Sequence, residues 1–471
     1  GIVLMDLAGR TDLGVRFFVS LGNKADVSSN DLLAAWYDDP EVTCAGLYLE
    51  SFGNARKFAR FARTFSERKP LLAVVGGRSS GGRRAGASHT AAAATPDVAV
   101  QALFAQAGVI GCADAEELAD TARLLTSQPL PAGRRVAVIS NAGGLGVLAA
   151  DAADDDKLEV VEFSAALQAQ LAELVHGTTG TANPVDAGAG AEPQQLASIL
   201  DAVLASGEVD AAVALLVATG DNDLAAIVSA MEDVRGDHPD VPVQAVPLGS
   251  SVPAVDGVTT FRSAAAALGS LARALRYADW RRSGAVATEE TSTADADAAR
   301  GEARALLAGP HANGWLAPRD ATHLLGRYGV ELVGRVVPAR EAAAAADQLG
   351  YPVAGKVAGA DFVHKTEHRL VRTGLASAEE VAEVIAEFES SPACVTDVLV
   401  QPMVDGVEIA VGVVRDPGLG PLVMVASGGV AVDVWDDHAF LMPPFGPDEA
   451  ARALRSLRIW PLLDGFRGAP P

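Results

Sequence analysis

An α/β protein with two parallel-sheet domains followed by an α+β domain is predicted by three features of the sequence. Short runs of Val, Ile and Leu recur between longer Ala/Leu/Glu segments of helical spacing, which is the alternation of a parallel sheet covered by helices. Toward the C-terminus the apolar runs crowd together, leaving little chain for crossover helices, and this indicates antiparallel pairing. Between the two regimes, residues 283–317 are rich in Ala, Thr, Asp and Gly and poor in large apolar side chains, the composition of a flexible acidic linker.

In order along the chain, a first domain over residues 1–130 is expected to hold strands at Phe17–Leu21, Thr43–Tyr48 and Pro70–Val75, with helices near Asn30–Tyr37 and Asn54–Arg68. A second domain, 131–282, follows the PLPAG turn. Its expected strands are Arg135–Ile139, Leu158–Val161, Ala211–Val217 and Val243–Val246, with helices at Gly144–Ala153 and Pro193–Ala205. After the linker, the third domain, 318–471, is expected to carry helices at Arg319–Tyr328 and Glu341–Leu349. Its strands are expected at Val330–Val337, Pro352–Val357, Asp397–Met403, Glu408–Val414 and Pro421–Ala426.

The 471 residues are 49% hydrophobic and 21% charged, which suits several packed cores and excludes a disordered chain. Sixty acidic residues against 37 basic ones give a net charge of −23, which repels nucleic-acid phosphates and anionic membranes over most of the surface. A small anionic substrate stays compatible, because glycine loops and helix N-termini hold phosphate locally. The three cysteines, Cys44, Cys112 and Cys394, are far apart and form neither a disulfide framework nor a zinc motif. No run reaches the length of a membrane span, and the cysteine usage fits the cytoplasm. The opening GIVLMDLAGR reads as the interior of an apolar helix, so further residues are expected upstream.

Several short segments carry recognisable chemistry. His89 lies in GGRSSGGRRAGASHT after a strand, where Arg83, Arg84 and glycine amides can hold a phosphate beside a nucleophilic imidazole. A solvated Gly/Ser-rich loop has the same composition. In SNAGGLGVLAADA, Ser140, Asn141, Gly143 and Gly144 lead from a strand straight into a helix, so that free amides and the helix dipole favour an anion; a ligand-free tight turn reads alike. Glu50, closing the strand of GLYLES, is placed to accept an imidazole N–H and fix its tautomer, or is a solvated strand end. Lys356 is the lone cation of the apolar strand YPVAGKVAG, suited to nucleotide phosphates or to snorkelling at an edge; His364 follows it in DFVHKTEH, a phosphoryl acceptor if it faces a nucleotide or else a solvent-exposed loop histidine. Glu408 and Asp416, on neighbouring expected strands, offer hard oxygen ligands for Mg2+.

The ordered set LGNKADVSSNDLL (21–33), YLES (48–51), GRRAGASHT (82–90), SNAGGLGVLAAD (140–151), NPVD (183–186), YPVAGKV (351–357) and DFVHKT (361–366) resembles the NDP-forming acyl-CoA synthetases. That family includes acetate–CoA ligase (ADP-forming) and is related to succinyl-CoA synthetase. The resemblance implies two flavodoxin-like, succinyl-CoA synthetase-like parallel-sheet domains followed by an ATP-grasp α+β domain. It implies that a short-chain acyl-CoA, phosphate and ADP are interconverted with acid, CoA and ATP, with Mg2+ accompanying the nucleotide. His89 would be the phosphorylated histidine, Glu50 the residue that orients it, and Ser140 to Gly144 the helix start that stabilises it. Lys356 would be the ATP-grasp lysine and His364 a phosphoryl relay, while Glu408, Asp416, Gly428 and Gly429 fall in the later nucleotide-binding strands.

The chain departs from the family pattern in having no preceding CoA-binding domain, which is expected in the same longer chain or a partner chain. It also reads Glu367-His368-Arg369-Leu370 after HKT and has Leu441 where an arginine is frequent. The resemblance further implies a homo-oligomer. Two other readings stay open: an acyl-CoA-sensing region of a GNAT-type acetyltransferase without turnover, and an ATP-grasp ligase joining a carboxylate to an amine.

Overall fold

The computed structural model describes residues 2–11, 13–22, 24, 26–77, 97–175, 180–219, 222–249, 257–284, 296–308, 316–358, 370–390, 395–416, 418–429 and 435–468. They fall into two compact units, Gly1–Thr288 together with Ile409–Pro471, and Glu289–Glu408.

The larger unit opens with helices α1 (Ile2–Arg10) and α2 (Ser29–Tyr37), then β1 (Ala45–Leu49), α3 (Ala55–Ser66), β2 (Leu71–Val75), α4 (Asp97–Ala107), β3 (Val109–Cys112) and α5 (Ala115–Ser127). The three strands form a parallel sheet in the order β1-β2-β3. Next come β4 (Val136–Ser140), α6 (Gly143–Asp155), α7 (Ala165–Leu174), β5 (Val185–Asp186), α8 (Pro193–Ala205), β6 (Ala211–Val217), α9 (Leu224–Asp237), β7 (Val243–Leu248), β8 (Thr259–Thr260) and α10 (Ala264–Arg282). Their sheet is parallel with the order β5-β4-β6-β7-β8. Central strands covered on both faces are expected to be apolar throughout, and the alternate residues of β4 and β6 do enter two separate cores. Ile139, Ala214 and Leu216 pack toward α8 and α9, whereas Val138, Val213 and Leu215 pack toward α10.

Helix α10 also reaches the first sheet. Its Tyr277 hydroxyl donates to the Ser66 carbonyl at 2.7 Å and its Trp280 indole N–H to the Gln106 carbonyl at 3.2 Å. Gly108, at φ +68°, lies under that indole, where a Cβ would come within 2.5 Å of the ring.

The smaller unit contains α11 (Ala296–Ala308), α12 (Pro318–Arg327), β9 (Arg335–Pro338), α13 (Ala342–Leu349), β10 (Val353–Val357), β11 (Val371–Leu375), α14 (Ala378–Ser390) and β12 (Asp397–Pro402). The antiparallel sheet β11-β10-β12-β9 packs Val353, Val357, Val398 and Val400 against Ala346, Ile385 and Phe388 of the helices. The chain then returns to the larger unit as β13 (Ile409–Asp416), β14 (Gly420–Ser427), β15 (His438–Leu441), α15 (Pro447–Arg455) and α16 (Trp460–Leu463). Strands β13-β14-β15 are antiparallel. Leu419, Leu422 and Met442 join the core of the first sheet, Met442 exchanges two backbone hydrogen bonds with the Gln106 amide, and Arg63 pairs with the buried Glu449 at 3.2 Å.

Four expectations are corrected. Phe17–Leu21 forms no strand: it lacks a ladder partner, β1 is an edge of its sheet among the described residues, and Phe17 instead stacks on Trp36 at 6.1 Å. Leu158–Val161 reduces to a single bridge between Glu159 and Arg135. The expected linker contains α11, whose ADAARGEARALLA is built from strong helix formers. The expected strand Val330–Val337 begins only at Arg335, as β9.

Replacing Gly108 with Ala should destabilise the larger unit by about 2 kcal/mol or more, from overpacking against Trp280 and the left-handed backbone. A denaturation midpoint unchanged from wild type would contradict this account of the α10 contact.

Candidate functional site

In a parallel sheet, ligands gather beyond the C-terminal ends of the strands. Strands β1 and β2 end level, with Leu49 opposite Val75, and the Gly76 amide donates to the Leu49 carbonyl at 2.9 Å. A Cβ on Gly76 would lie 3.0 Å from the Tyr48 hydroxyl and 3.9 Å from Cγ of Glu50, so the chain leaving β2 passes closely over both. Gly77, at φ +76°, turns it into the segment that carries His89. His89 itself lies outside the described residues. Glu50 stands exposed at the head of β1. Next to it is a cation that the sequence reading did not single out: Lys24, whose ammonium donates to the Ser51 carbonyl at 2.6 Å. Burial lowers the Lys24 pKa, and the negative charge of Glu50 acts in the opposite direction.

The β4–α6 junction separates side-chain from backbone roles. Ser140 and Asn141 are both buried to 1% exposure and bond inward. The Ser140 hydroxyl donates toward the carbonyls of Ala142 (2.9 Å) and Leu215 (3.1 Å), and Asn141 exchanges bonds with the backbone of Val217 at 2.8 and 2.9 Å. Their side chains therefore pin the junction to β6. Gly143 and Gly144 are exposed, and no side chain caps α6. Free amides at such a helix start suit an anion.

Two residues of the NPVD segment complete the junction. Asn183 serves as a substitute strand partner: its carbonyl oxygen accepts the Val138 N–H at 2.9 Å, and its amide donates to Val136 and Val161 carbonyls at 2.9 and 2.8 Å. Asp186 accepts the Gly188 N–H at 2.9 Å, and its other oxygen would be 2.6 Å from a Cβ on Gly143, so a side chain there would displace the carboxylate. A Cβ on Gly146 would similarly meet Pro184 at 2.9 Å. The repeated glycines of the motif were legible in sequence, but their opposing residues were not.

In the smaller unit, Lys356 lies half-buried on the central strand β10, opposite Val371 of β11 and Leu399 of β12. His364 falls outside the described residues. Glu408 is exposed at the end of this unit. Asp416 belongs to the larger unit, is 6% exposed, and accepts the N–H groups of Gly418 (2.8 Å) and Leu419 (2.7 Å), closing the β13–β14 turn. Gly428 and Gly429 follow β14, the latter at φ +82°. Leu441 is a core residue packed with Val425 and Ala453. Among the described residues no group of three His, Cys, Asp or Glu could hold a metal. Burial pushes the thiols of Cys44 and Cys112 up to about 12, so neither is a nucleophile near neutral pH.

Residues 1–125 match the model of a succinyl-CoA ligase like flavodoxin domain, and residues 308–471 that of an ATP-grasp domain. Acetate–CoA ligase [ADP-forming] I of Archaeoglobus fulgidus is 30% identical over 481 residues, covering 100% of this chain and 69% of that protein. The chain belongs to the family of ADP-forming acyl-CoA ligases. Another relative in this family, 4-hydroxybutyrate–CoA ligase [ADP-forming] of Nitrosopumilus maritimus, is 28% identical over 496 residues, again 99% of this chain and 69% of the relative. Among solved structures, the dinucleotide-forming acetyl-coenzyme A synthetase 1 of Ca. Korarchaeum cryptofilum, in complex with phosphate and ADP, matches with a TM-score of 0.53 and 27% identity. That match covers 61% of this chain and 65% of the other. The ligase chain described here thus spans about two thirds of the length of these proteins.

Replacing Asn183 with Ala removes three hydrogen bonds to buried backbone and should cost about 3 kcal/mol. Hydrogen exchange at the Val138 amide reads this directly; protection equal to wild type would show that β4 does not depend on Asn183.

Proposed function

We propose that the protein interconverts acyl-CoA, ADP and phosphate with a short-chain acid, CoA and ATP through a phosphohistidine at His89. The observation that carries this reading is the match along the entire chain to named ADP-forming ligases, combined with Glu50 and the glycine turn at Gly76 and Gly77 from which the His89 segment departs. Matches over the whole of this chain favour turnover over an acyl-CoA-sensing role, and the match at residues 1–125 leaves an ATP-grasp ligase acting alone without support.

In the proposed sequence, a phosphate oxygen attacks the thioester carbonyl and expels the CoA thiolate, giving an acyl phosphate. The imidazole of His89 then attacks phosphorus and the acid leaves as a carboxylate. Glu50 accepts the ring N–H and keeps the opposite nitrogen nucleophilic. The exposed amides of Gly143 and Gly144, set by the inward-tied Ser140 and Asn141, stabilise phosphoryl charge. The terminal β-phosphate oxygen of ADP takes the phosphoryl group in the last step, with Lys356 holding nucleotide phosphates, His364 relaying, and Gly428 and Gly429 lining the nucleotide strands.

Mg2+ supplies charge neutralisation to the nucleotide when bound. Of the two acids considered, the exposed Glu408 fits a hard cation better than Asp416, whose carboxylate is engaged in its turn. CoA would be held by a further domain in the same longer chain or a partner chain, within a homo-oligomer. Its place would be the cytoplasm; no helix among the described residues is long and apolar enough to cross a membrane.

Full-length protein incubated with γ-labelled ATP and Mg2+ should take up acid-labile, base-stable label. His89→Ala should abolish it, Glu50→Gln should slow it by about a hundredfold or more as expected for a group supporting proton chemistry, and His364→Ala tests the relay. Absence of label in wild type, from both ATP and acetyl phosphate, would sink the catalytic reading.

A further inference from the structure

Lys24 is held more tightly than a surface lysine needs to be. Its backbone is left-handed, at φ +55°, a conformation that costs free energy for any residue with a Cβ. The turn around it is tight: Gly22 is also left-handed, at φ +52°, and the Lys24 amide donates to the Leu21 carbonyl at 3.1 Å. The side chain then folds back so that its ammonium meets the Ser51 carbonyl at 2.6 Å, immediately after Glu50 at the C-terminal end of β1. One bond to a neutral carbonyl fixes the position of Nζ without neutralising it, and an ammonium has three donors.

The surroundings give this cation a purpose. Lys24 is half-buried, so its charge is partly stripped of water and gains from an anion more than an exposed lysine would. The chain as a whole carries a net charge of −23, and the nearest charged side chain named at this strand end is the carboxylate of Glu50. A phosphoryl group brought beside Glu50 meets like charge unless a cation is placed between them. We infer that Lys24 is a phosphoryl-binding residue, its fixed ammonium holding a phosphate oxygen at the head of β1 and offsetting the charge of Glu50. The inference rests on the reaction proposed above and extends it to a residue for the phosphoryl group itself, carried either as free phosphate or on the imidazole.

The test uses full-length protein with Lys24→Met, Lys24→Gln and Lys24→Arg. Inorganic phosphate and, separately, ADP are titrated by calorimetry, and the half-life of the phosphorylated enzyme is followed by its acid-labile label. Loss of one charge-assisted hydrogen bond should weaken phosphate about tenfold or more in Lys24→Met, with partial rescue by Lys24→Arg and unchanged ADP binding. If free phosphate binds as before but the phosphoenzyme decays several-fold faster, the group held is the one on histidine, and the inference stands. Phosphate affinity and phosphoenzyme lifetime both equal to wild type would overturn it. So would equal weakening of phosphate and ADP, which marks general disturbance of the fold; Lys24→Gln provides the same comparison if Lys24→Met is too unstable. Calorimetry on wild type reads phosphate binding independently of turnover. A protein that binds phosphate through Lys24 yet takes no label refutes the reaction and leaves the site, whereas a wild type that binds no phosphate and forms no phosphoenzyme refutes the inference.

Discussion

Helix α10 is the constraint on which the larger unit depends. A helix of 19 residues that buries ten of them cannot be a surface covering for one sheet alone. Leu268, Leu271 and Leu275 fill the core above β4 and β6, and further along the helix Tyr277 and Trp280 reach the backbone of the first sheet domain. Burial of this apolar surface is non-directional, while the two aromatic hydrogen bonds and the close approach at Gly108 set the register. The result is a joint between two parallel-sheet domains made by a packed helix, not by a linker.

The β4–α6 junction shows how buried polar side chains leave the backbone of a helix start exposed. A buried hydroxyl and a buried amide must find partners, and Ser140 and Asn141 find theirs in β6. That leaves the turn with no side chain of its own folded over it, although the Asp186 carboxylate closes in on Gly143. Asn183 performs the corresponding service for β4 on its other side, where β5 is only two residues long. Polar side chains thus act as scaffolding, and main-chain N–H groups are left to face outward. This arrangement tolerates very little change in side-chain volume, as the approaches of Asp186 to Gly143 and Pro184 to Gly146 demonstrate.

Much of the fold was legible in sequence where one residue pattern admits one environment. Ala211–Val217 is a seven-residue apolar run and Pro193–Ala205 starts with a proline at its first turn, and both elements have the boundaries the sequence predicts. Phe17–Leu21 is equally apolar, but a strand needs a neighbour as well as a pattern, and none of the described residues supplies one. α11 was hidden by its own lack of large side chains, although alanine, leucine, glutamate and arginine favour helix without any core to pack on. At the candidate site, glycine clusters and a strand-end carboxylate stand out in one dimension. Lys24, Asn183 and Asp186 do not, because each acts on a partner remote in sequence. Asp416 illustrates the converse: an acid attractive as a metal ligand on paper is used by the turn it sits in.

The open side of β1 has a physical consequence of its own. Ala45, Leu47 and Leu49 are buried in the core below, while Tyr48 remains 60% exposed above and the backbone pairs only with β2 among the described residues. Beside it runs a cavity of about 190 Å³ lined by Leu4, Leu13, Phe18 and Leu118. Inside-out hydrogen-bonding groups next to greasy walls are a template for any extended chain of matching hydrophobicity. A charged residue introduced along that rim should therefore oppose edge-to-edge pairing of one copy with another, independently of anything that happens at the strand ends.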